Sequence, residues 1–366
     1  GEVQKVILKY QHHIKEMGGA LLQLVSLGQQ DVFLSGNPQI TFWKVVYRRH
    51  TNFAIETVAQ VESGSYPNLN YTISRSGDLI HKCYLKVTVP ELVDGSLSYV
   101  NKFGHALIES VSLKIGGVNV DTHTGEFLDI WNELTISAEK QEGYAKMIGS
   151  FETDMDITYH RTARSYYIPL QFFFCQHPGL ALPLVALQYH EVQINFKLRG
   201  FDDMVCNPSG NVINISDTQD KTFRVELFVD YVYLDADERR RMAQSTHEML
   251  ITQLKVVRHT VIGSGDSNES SDRINLRNLS HPVKELIWVA KNTELNTQPK
   301  RYFTYYRENF EDDDEDDEDD EDDEDGQVVP VREIMTSASL VLNGTHRVDE
   351  RDNLFFRFIQ PYQHHT

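Results

Sequence analysis

The stretch Thr222-Phe-Arg-Val-Glu-Leu-Phe-Val-Asp-Tyr-Val-Tyr-Leu234 carries Phe223, Val225, Leu227, Val229, Tyr231 and Tyr233 at every second position. A two-residue period puts those side chains on one face of an extended strand, packed on a core. Glu191–Arg199 repeats the pattern, with Val192, Ile194, Phe196 and Leu198 between Gln193, Asn195, Lys197 and Arg199. Shorter copies lie at Lys82–Val89 (Cys83, Leu85, Val87, Val89), Val111–Ile115 and Ser339–Leu342. Gly116-Gly117 and Asn343-Gly344 are turn signals that close two of these runs. The pattern predicts a mainly antiparallel β protein.

Helical signal is sparse. Glu126–Leu134 sets Phe127, Ile130, Trp131 and Leu134 on one face of a short amphipathic helix. Asp235 and the following Asp237-Glu238 give an acidic start to a brief helix over Arg239–Met242. Leu21–Leu27, opened by Gly18-Gly19, reads as a small N-terminal helix. None is long enough for a helical domain or for βαβ units.

The chain also echoes itself. Ser110-Val-Ser-Leu-Lys-Ile-Gly-Gly117, followed by Asp121 and Phe127-Leu128, returns as Ser337-Ala-Ser-Leu-Val-Leu-Asn-Gly344, followed by Asp349 and Phe355-Phe356. A lysine-bearing strand precedes each: Lys82-Cys-Tyr-Leu-Lys-Val87 and Lys284-Glu-Leu-Ile-Trp-Val289. Two aligned elements in the same order predict two similar β domains in tandem. The polar stretch Asn207–Asp220 is the expected boundary. About eight strands per half suit a jelly roll, in which two sheets face each other.

Composition narrows the function. A chain of 366 residues with 40% hydrophobic and 10% aromatic content suits two domains with real cores. Its net charge of −19 is concentrated: Glu311 to Asp325 is entirely acidic and leaves about −4 on the rest. No basic surface for nucleic acid follows from this, and none is expected to be bound directly. Cys83, Cys175 and Cys206 lack the spacing of a disulfide framework or zinc module, and Cys83 and Cys175, in apolar runs, read as small core residues. No stretch reaches the roughly 18 apolar residues of a transmembrane helix.

Several segments together resemble the major capsid proteins of nucleocytoplasmic large DNA viruses, the group of iridoviruses, phycodnaviruses and mimiviruses. They begin with Gly18-Gly-Ala-Leu-Leu-Gln-Leu-Val25, Gln30-Asp-Val-Phe-Leu-Ser-Gly-Asn-Pro-Gln-Ile-Thr-Phe42 and Lys44-Val-Val-Tyr-Arg-Arg-His-Thr-Asn-Phe53. They continue with Ile168-Pro-Leu-Gln-Phe-Phe-Phe-Cys175 and Pro178-Gly-Leu-Ala-Leu-Pro-Leu-Val-Ala-Leu-Gln-Tyr-His-Glu191. Val229–Asp235, Asp237–Met242 and Ile359-Gln-Pro-Tyr-Gln-His-His365 complete the set in the family's order.

The resemblance implies an all-β chain of two tandem eight-stranded antiparallel jelly rolls, a double jelly roll, with a few short helices in loops. On this reading residues 1–27 are an extension and anchoring segment, 28–212 the first jelly roll and 213–366 the second. Three copies would form a pseudo-hexagonal homotrimeric capsomer, and capsomers would tile an icosahedral shell. The expected partners are the chain itself, neighbouring capsomers, minor capsid proteins and an inner membrane. The expected location is the virion capsid, assembled in the host cytoplasm. Leu21, Leu22, Leu24, Val25 and Leu27 are the anchoring candidates. The acidic run from Glu311 and Asp312 to Asp325 falls in a loop that faces outward in the family. Two departures stand out: Gly1–Glu16 precedes the usual family start, and the chain stops at Thr366 where relatives continue. The second jelly roll is therefore expected to be incomplete, with an open edge.

No catalytic chemistry emerges. The sequence lacks Gly-x-Ser-x-Gly, HExxH and a phosphate-cradling loop, and no cofactor is expected. Asp121-Thr-His123-Thr-Gly-Glu126 has a faint likeness to a cupin metal motif but supplies one imidazole where a site needs three or four converging ligands. Arg239-Arg240-Arg241 is read either as pairing with Asp235, Asp237 or Glu238 at the helix start, or as contacting a partner. Arg48-Arg49-His50 has the same two readings. Two other functions stay open: a capsid-like scaffold or minor capsid paralogue, and a carbohydrate-binding jelly roll using Tyr302, Tyr305 and Tyr306.

Overall fold

The computed structural model describes residues 50–150, 161–207, 218–260, 272–276, 279–291 and 335–365, with 28, 30, 32, 33, 36–39, 215, 302, 303 and 305 beside them. The chain divides into two compact units, Gly1–Thr51 and Asn52–Thr366. The anchoring candidates Leu21 to Leu27 and the acidic run Glu311–Asp325 lie outside the described residues.

In the larger unit the strands are β1 (Phe53–Ala59), β2 (Glu62–Ser65), β3 (Asn68–Thr72), β4 (Leu79–Val89), β5 (Ser98–Tyr99), β6 (Ile108–Ile115) and β7 (Val118–His123). They continue with β8 (Arg164–Pro169), β9 (Leu182–Pro183), β10 (Val192–Leu198), β11 (Val205–Cys206), β12 (Arg224–Leu234), β13 (Ser337–Leu342) and β14 (Thr345–Asp352). The helices are α1 (Phe103–Leu107), α2 (Gly125–Thr135), α3 (Ala138–Ile148), α4 (Phe173–Gln176), α5 (Ala236–Gln244) and α6 (Gln360–His364), the last preceded by a π-turn over Phe355–Ile359.

Two antiparallel sheets form the main body. One runs β1-β12-β4-β8 with β9 also on β4, and the other runs β2-β3-β10-β6-β7. Alternation dictates the core between them. Cys83, Leu85, Val87 and Val89 of β4 face Val225, Leu227, Val229 and Tyr231 of β12, and all are buried. From the second sheet come Leu69, Tyr71, Val111, Leu113, Ile194 and Phe196, also buried. Aromatic edges lock the middle: Phe223 lies 5.6 Å from Phe103 and 5.2 Å from Phe201.

Every alternating run read from the sequence in this body is a strand, but alternation does not reveal partners. Thr222–Leu234 stood in the second half by sequence, beyond the expected boundary at 212/213. In the structure β12 is the central strand between β1 and β4, paired from Arg224↔Thr88 through to Phe53↔Leu234. Its eleven residues give it the reach to serve both neighbours along their length. Lys284–Val289, expected as a strand, forms none: it finds no ladder partner among the described residues.

The helix over Glu126–Leu134 forms, yet it buries a different face. Leu128, Asp129 and Asn132 point inward, whereas Phe127, Ile130, Trp131 and Leu134 are half-exposed. Ion pairing explains the rotation. Asp129 is drawn inside by Lys102 Nζ at 2.8 Å and His105 Nδ1 at 3.4 Å, with the Tyr144 hydroxyl 2.9 Å from His105 Nε2. Gly125 allows the close approach, since a Cβ there would collide with the His105 carbonyl and lie 2.6 Å from that of Ile108.

The echo is real at the level of backbone. β6 and β7 join through Gly116-Gly117, at φ 58° and 81°, and β13 and β14 through Asn343-Gly344, at φ 51° and 80°. Two consecutive positive φ values make the tight turn whose twist matches paired strands. Both hairpins then bulge at the same place, leaving Val120 and Arg347 as the extra residues. Both end in a helical cap of the same geometry. Thr124 Oγ1 accepts from Phe127 N at 3.3 Å, and Asp352 Oδ1 accepts from Phe355 N at 3.1 Å. One detail of the sequence alignment changes. Leu113 pairs with Asp121 and Leu340 with Val348, so Val348 and not Asp349 matches Asp121; β14 has its second extra residue beyond Val348, which shifts the following cap by one.

Candidate functional site

Among the described residues the features that could act are surfaces. Among the described residues no three His, Cys, Asp or Glu side chains converge as metal ligands. No described helix is long and apolar enough to cross a membrane.

The residues of the faint metal motif do something else: they hold a distant part of the chain. The bulge at Val120 frees its carbonyl from the ladder, and Gln253 Nε2 donates to it at 2.7 Å. Asp121, buried, accepts from Leu254 N at 3.1 Å and from Thr122 N at 2.8 Å, and His123 Nε2 lies 2.8 Å from its other oxygen. Glu126 receives Arg258 at 3.3 Å and Lys291 at 3.4 Å. His123 itself is clamped between Phe127, 4.7 Å away, and Phe172, 4.8 Å away. Residues 253–258 thus lie as a strap along β7, the edge strand of its sheet. A covered edge cannot pair with a foreign strand. Sequence reasoning missed Gln253, Leu254, Arg258 and Lys291 because no local signal links them to a hairpin some 130 residues earlier.

A second surface is the outer face of the β1-β12-β4-β8 sheet. Tyr84 stacks on Phe228 with centroids 5.2 Å apart and rings 12° from parallel, and Tyr167 stands 6.2 Å from Tyr84. Lys86 bridges to Glu226 at 2.8 Å and lies 5.9 Å over the Phe228 ring. That hydrogen bond raises the Lys86 pKa, and partial desolvation raises the Tyr84 phenol. Phe53 and Ile55 extend the apolar row along β1 and are more than half exposed. Lys86 and Glu226 neutralise each other there, and aromatic and aliphatic area supplies much of the face's contact chemistry.

The third surface is in the second hairpin unit. Trp288 packs 4.9 Å from Phe356 and His365 reaches Glu285 at 2.5 Å, yet Ile287, Val289, Leu354, Phe358 and Ile359 remain exposed.

Other sequence candidates find definite places. Arg240 pairs locally with Asp237 at 3.7 Å, but Arg239 crosses to Asp78 at 2.8 Å and ties α5 to the sandwich. Asp235 Oδ1 caps α5 by accepting from Ala236 N at 2.8 Å. Tyr302 donates to the Asp203 carbonyl at 2.8 Å and carries the Arg199 guanidinium 4.5 Å over its ring. Burial raises the Tyr305 phenol. Neither ring is presented for sugar stacking; Tyr306 and Arg48-Arg49 lie outside the described residues.

Comparison with known proteins agrees with a shell-forming surface. Residues 41–235 match the model described as major capsid protein N-terminus, and residues 238–366 match that of large eukaryotic DNA virus major capsid protein. A major capsid protein of Pyramimonas orientalis virus is 43% identical over 355 residues, covering 95% of this chain and 76% of its own. That of Paramecium bursaria Chlorella virus 1 is 35% identical over 357 residues, covering 95% and 78%. Among solved structures, a quasi-atomic model of the PBCV-1 virus capsid superposes with a TM-score of 0.66 at 28% identity, covering 88% of this chain and 77% of that one.

Proposed function

Because the chain belongs to the major capsid protein family of large eukaryotic DNA viruses, with the all-β double jelly-roll fold of that family, we propose that it builds the shell as homotrimeric, pseudo-hexagonal capsomers. The observation that carries this reading is the hairpin–bulge–helix unit made twice in one chain. Two similar β bodies per copy, repeated three times around an axis, make a six-cornered tile from one gene product. In this reading the first jelly roll closes with β12, and the second runs from the strap onward. That moves the division from 212/213 to the end of β12.

The work is structural, and no reaction is assigned to it. The apolar row on β1, β12 and β4 and the exposed face of the second unit are the surfaces through which copies meet. Leu21, Leu22, Leu24, Val25 and Leu27 anchor the subunit to the shell floor, toward minor capsid proteins and an inner membrane. The acidic run Glu311–Asp325 stands outward, where its self-repulsion keeps it solvated. Assembly takes place in the host cytoplasm.

Light scattering after size exclusion tests the oligomer directly. A discrete species near three times 42.2 kDa supports the capsomer. A monomer at concentrations where particles assemble would overturn it. Abundance in purified particles separates a shell component from a scaffold that leaves before maturation.

A further inference from the structure

The two thiols Cys83 and Cys175 have no part in the surfaces described above, and they lie together. Cys83 points into the core from β4, 2% exposed, opposite Val229 of β12. Cys175 sits in α4, half-buried and packed against the same core cluster. The segment leading into it is held to β4 at two points. Leu170 N donates to the Cys83 carbonyl at 3.0 Å, and the His81 ring N–H donates from Nδ1 to the Phe174 carbonyl at 3.0 Å. Cys175 directly follows Phe174, so these bonds hold it against β4 beside Cys83, and both thiols are free. The third cysteine, Cys206, has a different neighbour, the Ser98 hydroxyl at 3.4 Å.

We propose that Cys83 and Cys175 are a latent disulfide site, closed by a low-molecular-weight disulfide of the glutathione class when the protein passes from reducing to oxidising surroundings. The more accessible Cys175 loses its proton to solvent and attacks the small disulfide, forming a mixed disulfide and releasing one thiolate. Cys83 then attacks the Cys175 sulfur, the Cys83–Cys175 bond forms, and the second small thiol leaves with its proton. Two protein thiols are oxidised and one disulfide is reduced to two thiols. Burial raises the Cys83 thiol well above its ordinary value, which makes the second step slow and confines it to a partner already in contact. The product staples α4 to its sheet and closes a loop over residues 83–175, about half of the stretch from β1 to β12, so it constrains the unfolded chain strongly. A capsid that assembles in a reducing cytosol and persists outside it would gain this cross-link only after release.

The test uses the full-length chain in its native oligomer, incubated with oxidised glutathione at mildly alkaline pH, then alkylated and mapped as peptides without reduction. The expected result is a peptide linking Cys83 to Cys175 with Cys206 alkylated, and a thermal midpoint raised by about 5 °C or more. C206S must keep both effects. C175S must lose the linked peptide and the thermal gain together; if either survives in C175S, the assignment is wrong. A map in which Cys175 stops at the glutathione adduct, or in which Cys83 is recovered alkylated after prolonged incubation, also overturns the proposal.

Discussion

The β6–β7 and β13–β14 hairpins share turn, bulge and helical cap, yet they live in different surroundings. β6 is packed on β10 and buries Val111 and Leu113 completely, whereas no residue of β13 or β14 is fully buried. The first hairpin holds a strap through Asp121 and Glu126. At the corresponding places the second has Val348 and Leu354, which offer apolar contact instead of carboxylates. The comparison teaches that the backbone of the unit is fixed locally, by two positive-φ turn residues and a cap. Its stability and its partner are fixed by side chains that the local pattern does not contain.

The largest expected asymmetry comes from core truncation. Leu113→Ala removes a fully buried side chain and should cost roughly 2–5 kcal/mol of stability. Leu340→Ala, at the matching place in a half-buried strand, should cost less than about 1 kcal/mol in the isolated chain. Chemical denaturation of the two variants makes the measurement; equal losses would mean that the second hairpin is as deeply packed as the first.

Next in size is the close approach beneath α2. Gly125→Ala would drive a methyl group into the His105 and Ile108 carbonyls, at a cost of about 1–3 kcal/mol. Asn353→Ala, just after the second cap residue as Gly125 is after the first, should be near neutral. A thermal shift in both or in neither would break the comparison.

The clasp is expected to contribute somewhat less. Asp121→Asn exchanges a charge-assisted acceptor for a neutral one, and Glu126→Gln removes the attraction for Arg258 and Lys291. Together they should cost about 1–2 kcal/mol and expose the 245–258 region to limited proteolysis. Val348→Ala should leave that cleavage pattern unchanged. The smallest effect concerns the caps. Thr124→Ala should lose about 1 kcal/mol, while Asp352→Ala on the less buried unit should lose only a few tenths, read from thermal midpoints.

Much of the first sandwich was legible because a half-buried strand must alternate, as β10 does throughout, β4 from Cys83 onward and β12 up to Tyr231. Turn residues were legible for the same reason, since only certain residues tolerate positive φ. Partners were not. β12 reads as a strand from its own residues, but nothing in them says that it belongs between β1 and β4. The face of α2 was misread because hydrophobic spacing favoured Phe127 and Trp131, while the Lys102–Asp129 ion pair and the His105 contact beside it decided the matter. β1 and β3 were overlooked although Phe53-x-Ile55 and Leu69-x-Tyr71 carry the alternation; β1 is interrupted by Glu56 and Thr57, and β3 is short with polar ends. The clasp was legible only as an unexplained trio of Asp121, His123 and Glu126, since its other half lies far along the chain.

If copies assemble as proposed, the second hairpin unit obtains in the assembly the cover that the first already has within its own sandwich. Hydrogen exchange on the free chain and on the assembled oligomer, followed by mass spectrometry of peptides from both hairpins, tests it most directly. The account predicts that β6–β7 is strongly protected in both states, while β13–β14 exchanges quickly in the free chain and slowly after assembly. Protection of β13–β14 that is the same before and after assembly would contradict it.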